Sequence, residues 1–104
     1  MSAVREGDLV PLGAGVTPPV LVSVSKPEYP AMARRTRVEG TVVLSLLVDE
    51  NGRVIDVRLQ RGVSLNVGIN EAAIAAARTA KYRPATKDGV RVKTWHQLTI
   101  PFKL

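Results

Sequence analysis

The chain has no cysteine, which excludes disulfides and thiolate metal sites alike. That absence fits cytosol and periplasm equally. Histidine occurs once, at position 96, and a lone imidazole with no second histidine does not make a zinc site. No apolar run approaches the roughly 20 residues needed to cross a bilayer. The opening Met1-Ser2-Ala3-Val4-Arg5 lacks the apolar stretch of a secretory signal. The chain is therefore expected to be cytosolic, or to be the soluble piece of a longer anchored protein. Aromatics are scarce, limited to Tyr29, Tyr82, Trp95 and Phe102. A core must then be built from Val, Leu, Ile and Ala, and the runs of valine favour sheet over bundle. A length of 104 residues gives one domain with one compact core.

Catalytic groups are missing in the same sense. Asp56 and Ser64 sit in no nucleophile-elbow or other catalytic pattern, and no base, nucleophile and orienting group fall together. Neither enzyme activity nor a cofactor is expected. The net charge of +6 raises the question of nucleic acid. Its distribution answers against it: Arg34, Arg35 and Arg37 form one small group, and residues 81–93 a looser one. No aromatics interleave with these charges as a stacking platform requires. The sequence predicts no nucleic-acid partner.

What is present reads as a small α+β domain. Residues 1–17 contain Pro11, Gly13 and Gly15 and lack periodicity, which predicts a flexible linker or arm ahead of a domain spanning 18–104. Residues 20–25 are β-branched and short, a strand stopped by Pro27. Pro30 suits the first turn of a short helix reaching about Thr36. Residues 41–48 carry Val42, Leu44, Leu46 and Val48 at period two, and residues 54–61 carry Ile55, Val57 and Leu59. Asn51-Gly52 between them is a strong hairpin signal. Apolar faces must oppose, so pairs summing to 103 (Val48–Ile55, Leu46–Val57, Leu44–Leu59) or to 101 are allowed. A three-residue loop would pair core face with solvent face and is excluded on that ground.

Asn70 reads as the N-cap of a second helix, with Ile69, Ala72, Ala73, Ala76 and Ala80 on one stripe. Residues 90–104 alternate as one long strand. Pro101 cannot donate to a ladder, which places that strand at a sheet edge. The predicted fold is two-layer: a three- to four-stranded antiparallel sheet with 41–48 at its centre and two helices on one face.

The order and spacing of several short motifs resemble the C-terminal domain of TonB-type energy transducers. They are Tyr29-Pro30 with Ala33-Arg34; Gly40; Asp49-Glu50-Asn51-Gly52-Arg53-Val54; Ile69-Asn70-Glu71-Ala72-Ala73; Tyr82-Arg83-Pro84-Ala85; Gly89; and Phe102. The similarity runs from about Pro18 to Leu104. It implies a periplasmic domain, the soluble part of a protein anchored in the inner membrane of a Gram-negative cell. Such a domain grasps the TonB box, a short extended segment of an outer-membrane transporter, and transmits force for active transport. Inner-membrane motor proteins would couple through an N-terminal membrane helix and Pro-rich spanner that this sequence does not contain. The alternative is a TonB-like appendage of another envelope protein that binds proteins or peptidoglycan.

The candidate partner-binding residues follow from the edge. An edge strand offers unpaired N–H and C=O groups to an incoming peptide, which puts Arg91, Val92, Lys93, Thr94, Trp95, His96 and Gln97 first. The strand of residues 20–25 or a second copy of the chain, giving a homodimer, is the other candidate occupant. Tyr29 and Pro30 join through the resemblance, and Arg34 beside them. Trp95 has the outward parity, near Val43 and Leu47, and His96 reads as structural.

Overall fold

The structure, a computed structural model, describes residues 4–13, 15–63, 65 and 67–104. Ser64, with residues 1–3, 14 and 66 of the expected arm and loop, lies outside the described residues. In chain order the elements are β1 (Val16–Thr17), β2 (Val20–Ser23), α1 (Ala31–Arg35), β3 (Gly40–Val48), β4 (Val54–Arg61), α2 (Ile69–Arg78), β5 (Lys81–Arg83), β6 (Ala85–Lys87), β7 (Val90–Val92) and β8 (Thr94–Phe102).

β3 is the centre of a three-stranded antiparallel sheet ordered β4-β3-β8, the topology that matched parity required. Its even residues Val42, Leu44, Leu46 and Val48 are completely buried. They meet Ala73, Ala76 and Ala77 of α2, and Ala33 of α1 joins the same core. The alanines let the helix approach closely, while the large side chains come from the sheet. The architecture is therefore α+β with the helices on one face. β2 lies apart from this sheet and pairs with β5.

Three local expectations are corrected. Leu44 pairs with Leu59 and Leu46 with Val57 as expected, but Val48 pairs with Val54 rather than Ile55. The turn is the three-residue loop excluded above: the Asp49 N–H donates to the Arg53 carbonyl at 2.9 Å and the Gly52 N–H to the Asp49 carbonyl at 3.0 Å. A bulge then takes up Ile55 as an extra residue and restores parity, leaving Ile55 half-exposed. The cause is the Asp49 carboxylate, whose Oδ1 accepts from the N–H groups of Asn51 (2.9 Å) and Arg53 (2.8 Å). Gly52 completes the turn at φ 80, with a Cβ there falling 1.8 Å from the Tyr82 carbonyl oxygen.

The second correction concerns Asn70, which is not the cap of α2. Gly68, at φ 90, precedes a helix that begins at Ile69. Asn70 sits inside the first turn, and its Oδ1 accepts from the Val63 N–H at 2.9 Å, tying down the incoming loop.

The third concerns residues 90–104, which form two strands rather than one. β8 pairs with β3 over nine residues without a bulge, from Val48–Thr94 to Gly40–Phe102. Beyond Val48 the β3 chain turns away at Asp49, so residues 90–92 find β6 instead. A second, small core results at this end: Val10, Ala85 and Val92, flanked by Val4, Val16 and Val90. The molecule measures 56 × 20 × 17 Å, with a radius of gyration of 15.6 Å. A compact chain of this length has about 13 Å.

Candidate functional site

Backbone parity decides which groups of β8 face the open edge. In an antiparallel strand, successive residues direct their N–H and C=O alternately to the two sides. Asp49 bonds to Arg53 on the β4 side, so the odd residues of β3 serve β4 and the even ones serve β8. Their even partners, Thr94, His96, Leu98 and Ile100, are then engaged with β3. The odd residues Trp95, Gln97, Thr99 and Pro101 direct their backbone away from the sheet. Pro101 agrees independently, since it has no N–H to give. Among the described residues no strand pairs with this side of β8.

Beside the edge lies an open apolar groove of about 260 Å³. Leu21, Val24, Ser25 and Pro27 form one wall and Leu98, Thr99, Ile100 and Pro101 the other. β2 and the residue after it are unusually exposed for their type, with Val20 at 55%, Val22 at 61% and Val24 at 39%. An extended strand on the β8 edge would drop alternate side chains into this groove.

The ten residues singled out from the sequence fall at two ends of this edge. Tyr29 packs edge-on against Phe102 with ring centres 5.6 Å apart, and its hydroxyl donates to the Val38 carbonyl. The Arg34 guanidinium lies 5.9 Å from the Tyr29 ring centre. Pro30, half-buried, caps α1 in an extended conformation. Trp95 is roughly 24 Å from Phe102 at 3.4 Å per residue. It lies on the open sheet face opposite Leu47, with the Arg58 guanidinium 4.6 Å from its ring centre.

Around Trp95 the assignments divide. Val92 and Thr94 are fully buried and serve packing. The Thr94 hydroxyl has no hydrogen-bond partner among the described residues. His96 faces the helix side, edge-on to Tyr82 at 5.3 Å, and burial lowers its pKa below the ordinary 6.5. Gln97 is exposed, with an outward backbone. Arg91 and Lys93 share the outward parity, but their backbone groups are bonded to residues 7–10.

Thr99 and the groove wall at Leu21 and Val24 were missed by sequence reasoning. The parity signalled by Pro101 reaches Thr99 directly. The groove wall had no signal, because nothing local places residues 21–27 beside β8. Among the described residues no cluster of His, Asp and Glu could hold a metal ion. No helix among them is long and apolar enough to cross a membrane.

Comparison with known proteins gives consistent results. The family model of the Gram-negative bacterial TonB protein C-terminal region matches residues 25–104. Protein TonB of Vibrio cholerae is 34% identical over 90 residues, covering 86% of this chain and 36% of that protein. Protein TonB of Xanthomonas campestris pv. campestris is 33% identical over 82 residues, covering 79% of this chain and 36% of that protein. The chain thus spans about a third of the length of these relatives. The solution NMR structure of the Pseudomonas aeruginosa TonB C-terminal domain superposes with a TM-score of 0.65, covering 91% of this chain and 93% of that one at 20% identity, a likeness of fold. Family, fold and the order of motifs converge: this chain belongs to the TonB C-terminal domain family, a non-enzymatic class of protein-interaction domain.

Proposed function

We propose that this domain binds a short extended peptide, the TonB box of an outer-membrane transporter, as an added strand on the open edge of β8. It would do so in the periplasm, as the soluble part of an inner-membrane-anchored protein that transmits force from motor proteins. The observation that carries the reading is the row of outward backbone groups at Trp95, Gln97 and Thr99 beside an apolar groove. Each backbone bond contributes about 0.5–1.5 kcal/mol net, so the groove must add apolar burial for useful affinity. Dispersed positive charge would steer acidic segments mainly through association rate.

The test is a titration of the labelled chain with synthetic transporter N-terminal peptides, read by amide shifts. Shifts are expected at Trp95, Gln97 and Thr99. Shifts confined to the hairpin of residues 40–61, with these three silent, would overturn the reading. Gln97→Pro removes an outward donor and should weaken binding by about 1 kcal/mol while the fold survives. Thr94→Pro removes a donor facing Val48 and should damage the sheet itself.

A further inference from the structure

Residues 6–10 are seated on the same edge that a peptide would use. Arg91 and Lys93 have the odd parity of Trp95, Gln97 and Thr99, and only Lys93 separates β7 from β8. The outer side of this continuous edge is filled at its upper end by the chain's own N-terminal segment. The Gly7 N–H donates to the Arg91 carbonyl at 3.0 Å, the Lys93 N–H to the Asp8 carbonyl at 2.8 Å, and the Val10 N–H to the Lys93 carbonyl at 2.9 Å. The pairing is parallel, with Leu9 opposite Lys93. Among the described residues the pairing ends at Val10, one residue before Pro11, and no backbone bond joins the arm to Trp95.

The side chains of this segment outline what the edge accepts. Glu6 forms an ion pair with Arg91. Gly7 lies against the Glu50 carboxylate so closely that a Cβ would stand 2.6 Å from Oε2, and its φ is +84. Glu50 is itself 4.0 Å from the Lys93 ammonium. Val10 is 8% exposed, covered by the small core it shares with Ala85 and Val92. Leu9 points away and is 59% exposed. An acid opposite Arg91, a glycine against Glu50 and a branched apolar residue over Ala85 and Val92 make a position-by-position pattern.

We propose that residues 6–10 are a built-in stand-in for a partner strand: the edge at residues 91–93 is the upper half of the strand-addition surface, takes an acidic–apolar extended peptide in parallel orientation, and is held closed by the chain's own arm until such a peptide displaces it. The choice of an outer-membrane transporter as the source of that peptide rests on the function proposed above. A strand running the full edge from Arg91 to Thr99 must expel the arm, whereas one confined to Trp95, Gln97 and Thr99 need not. The apparent affinity of any full-length occupant is then reduced by the fraction of molecules with the arm open.

The experiment uses the full chain in three forms: unchanged, Glu6→Lys with Val10→Asp, and Gly7→Val. The two variants release the arm by independent routes, so one serves if the other fails to fold. The probe is a synthetic peptide with the sequence of residues 4–13, followed by amide shifts at Arg91 and Lys93. The released forms should bind it about tenfold or more tightly than the unchanged chain. Equal affinity for all three forms, or shifts away from Arg91 and Lys93, overturns the proposal. Transporter peptides titrated into the same samples separate the two readings. Their failure at Trp95, Gln97 and Thr99, with the arm-peptide result intact, refutes only the transporter function and upholds the edge. A transporter peptide that shifts Arg91 and Lys93 with the same affinity before and after arm release refutes the competition.

Discussion

The two cores of this molecule are unlike in depth. Under β3 and α2, four consecutive inward side chains of one strand are completely buried, and the helix covers them together with Ala80 just beyond its end. At the far end, Val10, Ala85 and Val92 are buried by short strands and an arm, with Val4, Val16 and Val90 half-covered around them. The first core is a layer held by long ladders. The second is built on the short ladders of β1, β6 and β7, with the arm clasped over it by three backbone bonds and one exposed ion pair. Free energy of opening varies across a structure with such differences, from near zero up to the global value. The difference places rigidity under β3 and exchangeable structure beside the open edge, where a partner strand is expected.

The largest effect should come from the deep core. Leu46→Ala empties a fully buried site between sheet and helix and should cost about 2–5 kcal/mol of global stability. Its measure is the denaturant midpoint, which should fall for all probes together. Val92→Ala removes two methyl groups from the second core and should cost about 1.5–2 kcal/mol. Amide exchange should accelerate in β6, β7 and residues 7–10, with β3 little changed. Equal acceleration in β3 would mean that the two regions open as one unit and the comparison fails.

Thr94 sharpens the boundary between them, since it is the first residue of β8 and wholly buried. Thr94→Val keeps the shape and deletes a hydroxyl that has no partner among the described residues. It should stabilise by about 1 kcal/mol, visible as a higher denaturant midpoint. The smallest effect is that of pH on His96. Burial favours its neutral form, so its folded pKa lies below the unfolded 6.5. The unfolded state then binds more protons in that window, and stability is full above 6.5 and falls as pH drops toward the folded value. His96→Gln should flatten the stability curve there, and an unchanged slope would remove His96 as its source.

Much of the main layer was legible in the sequence. Period-two alternation in residues 41–48 and 94–102 fixed which side chains face the helix, and the alanine stripe identified the helix that meets them. Pro101 marked the open edge, and parity carries that mark to Thr99. The hairpin misled because the apolar pattern of Ile55, Val57 and Leu59 assumes an unbroken strand, while the Asp49 carboxylate favours a three-residue turn and a bulge. Asn70 misled because capping propensity is local, and its amide was recruited by a loop seven residues earlier.

The sequence by itself determined the fold class, the central strand, the open edge and the family, because each rests on periodicity or on residues whose backbone chemistry is fixed. Only the tertiary structure decided where that edge is free. Residues 7–10 and 91–93 are far apart in the chain, and neither carries a pattern that names the other. Their pairing depends on β3 turning away at Asp49, on β6 taking up β7, and on Gly7 fitting against Glu50. Those are long-range steric facts, and no local propensity encodes them.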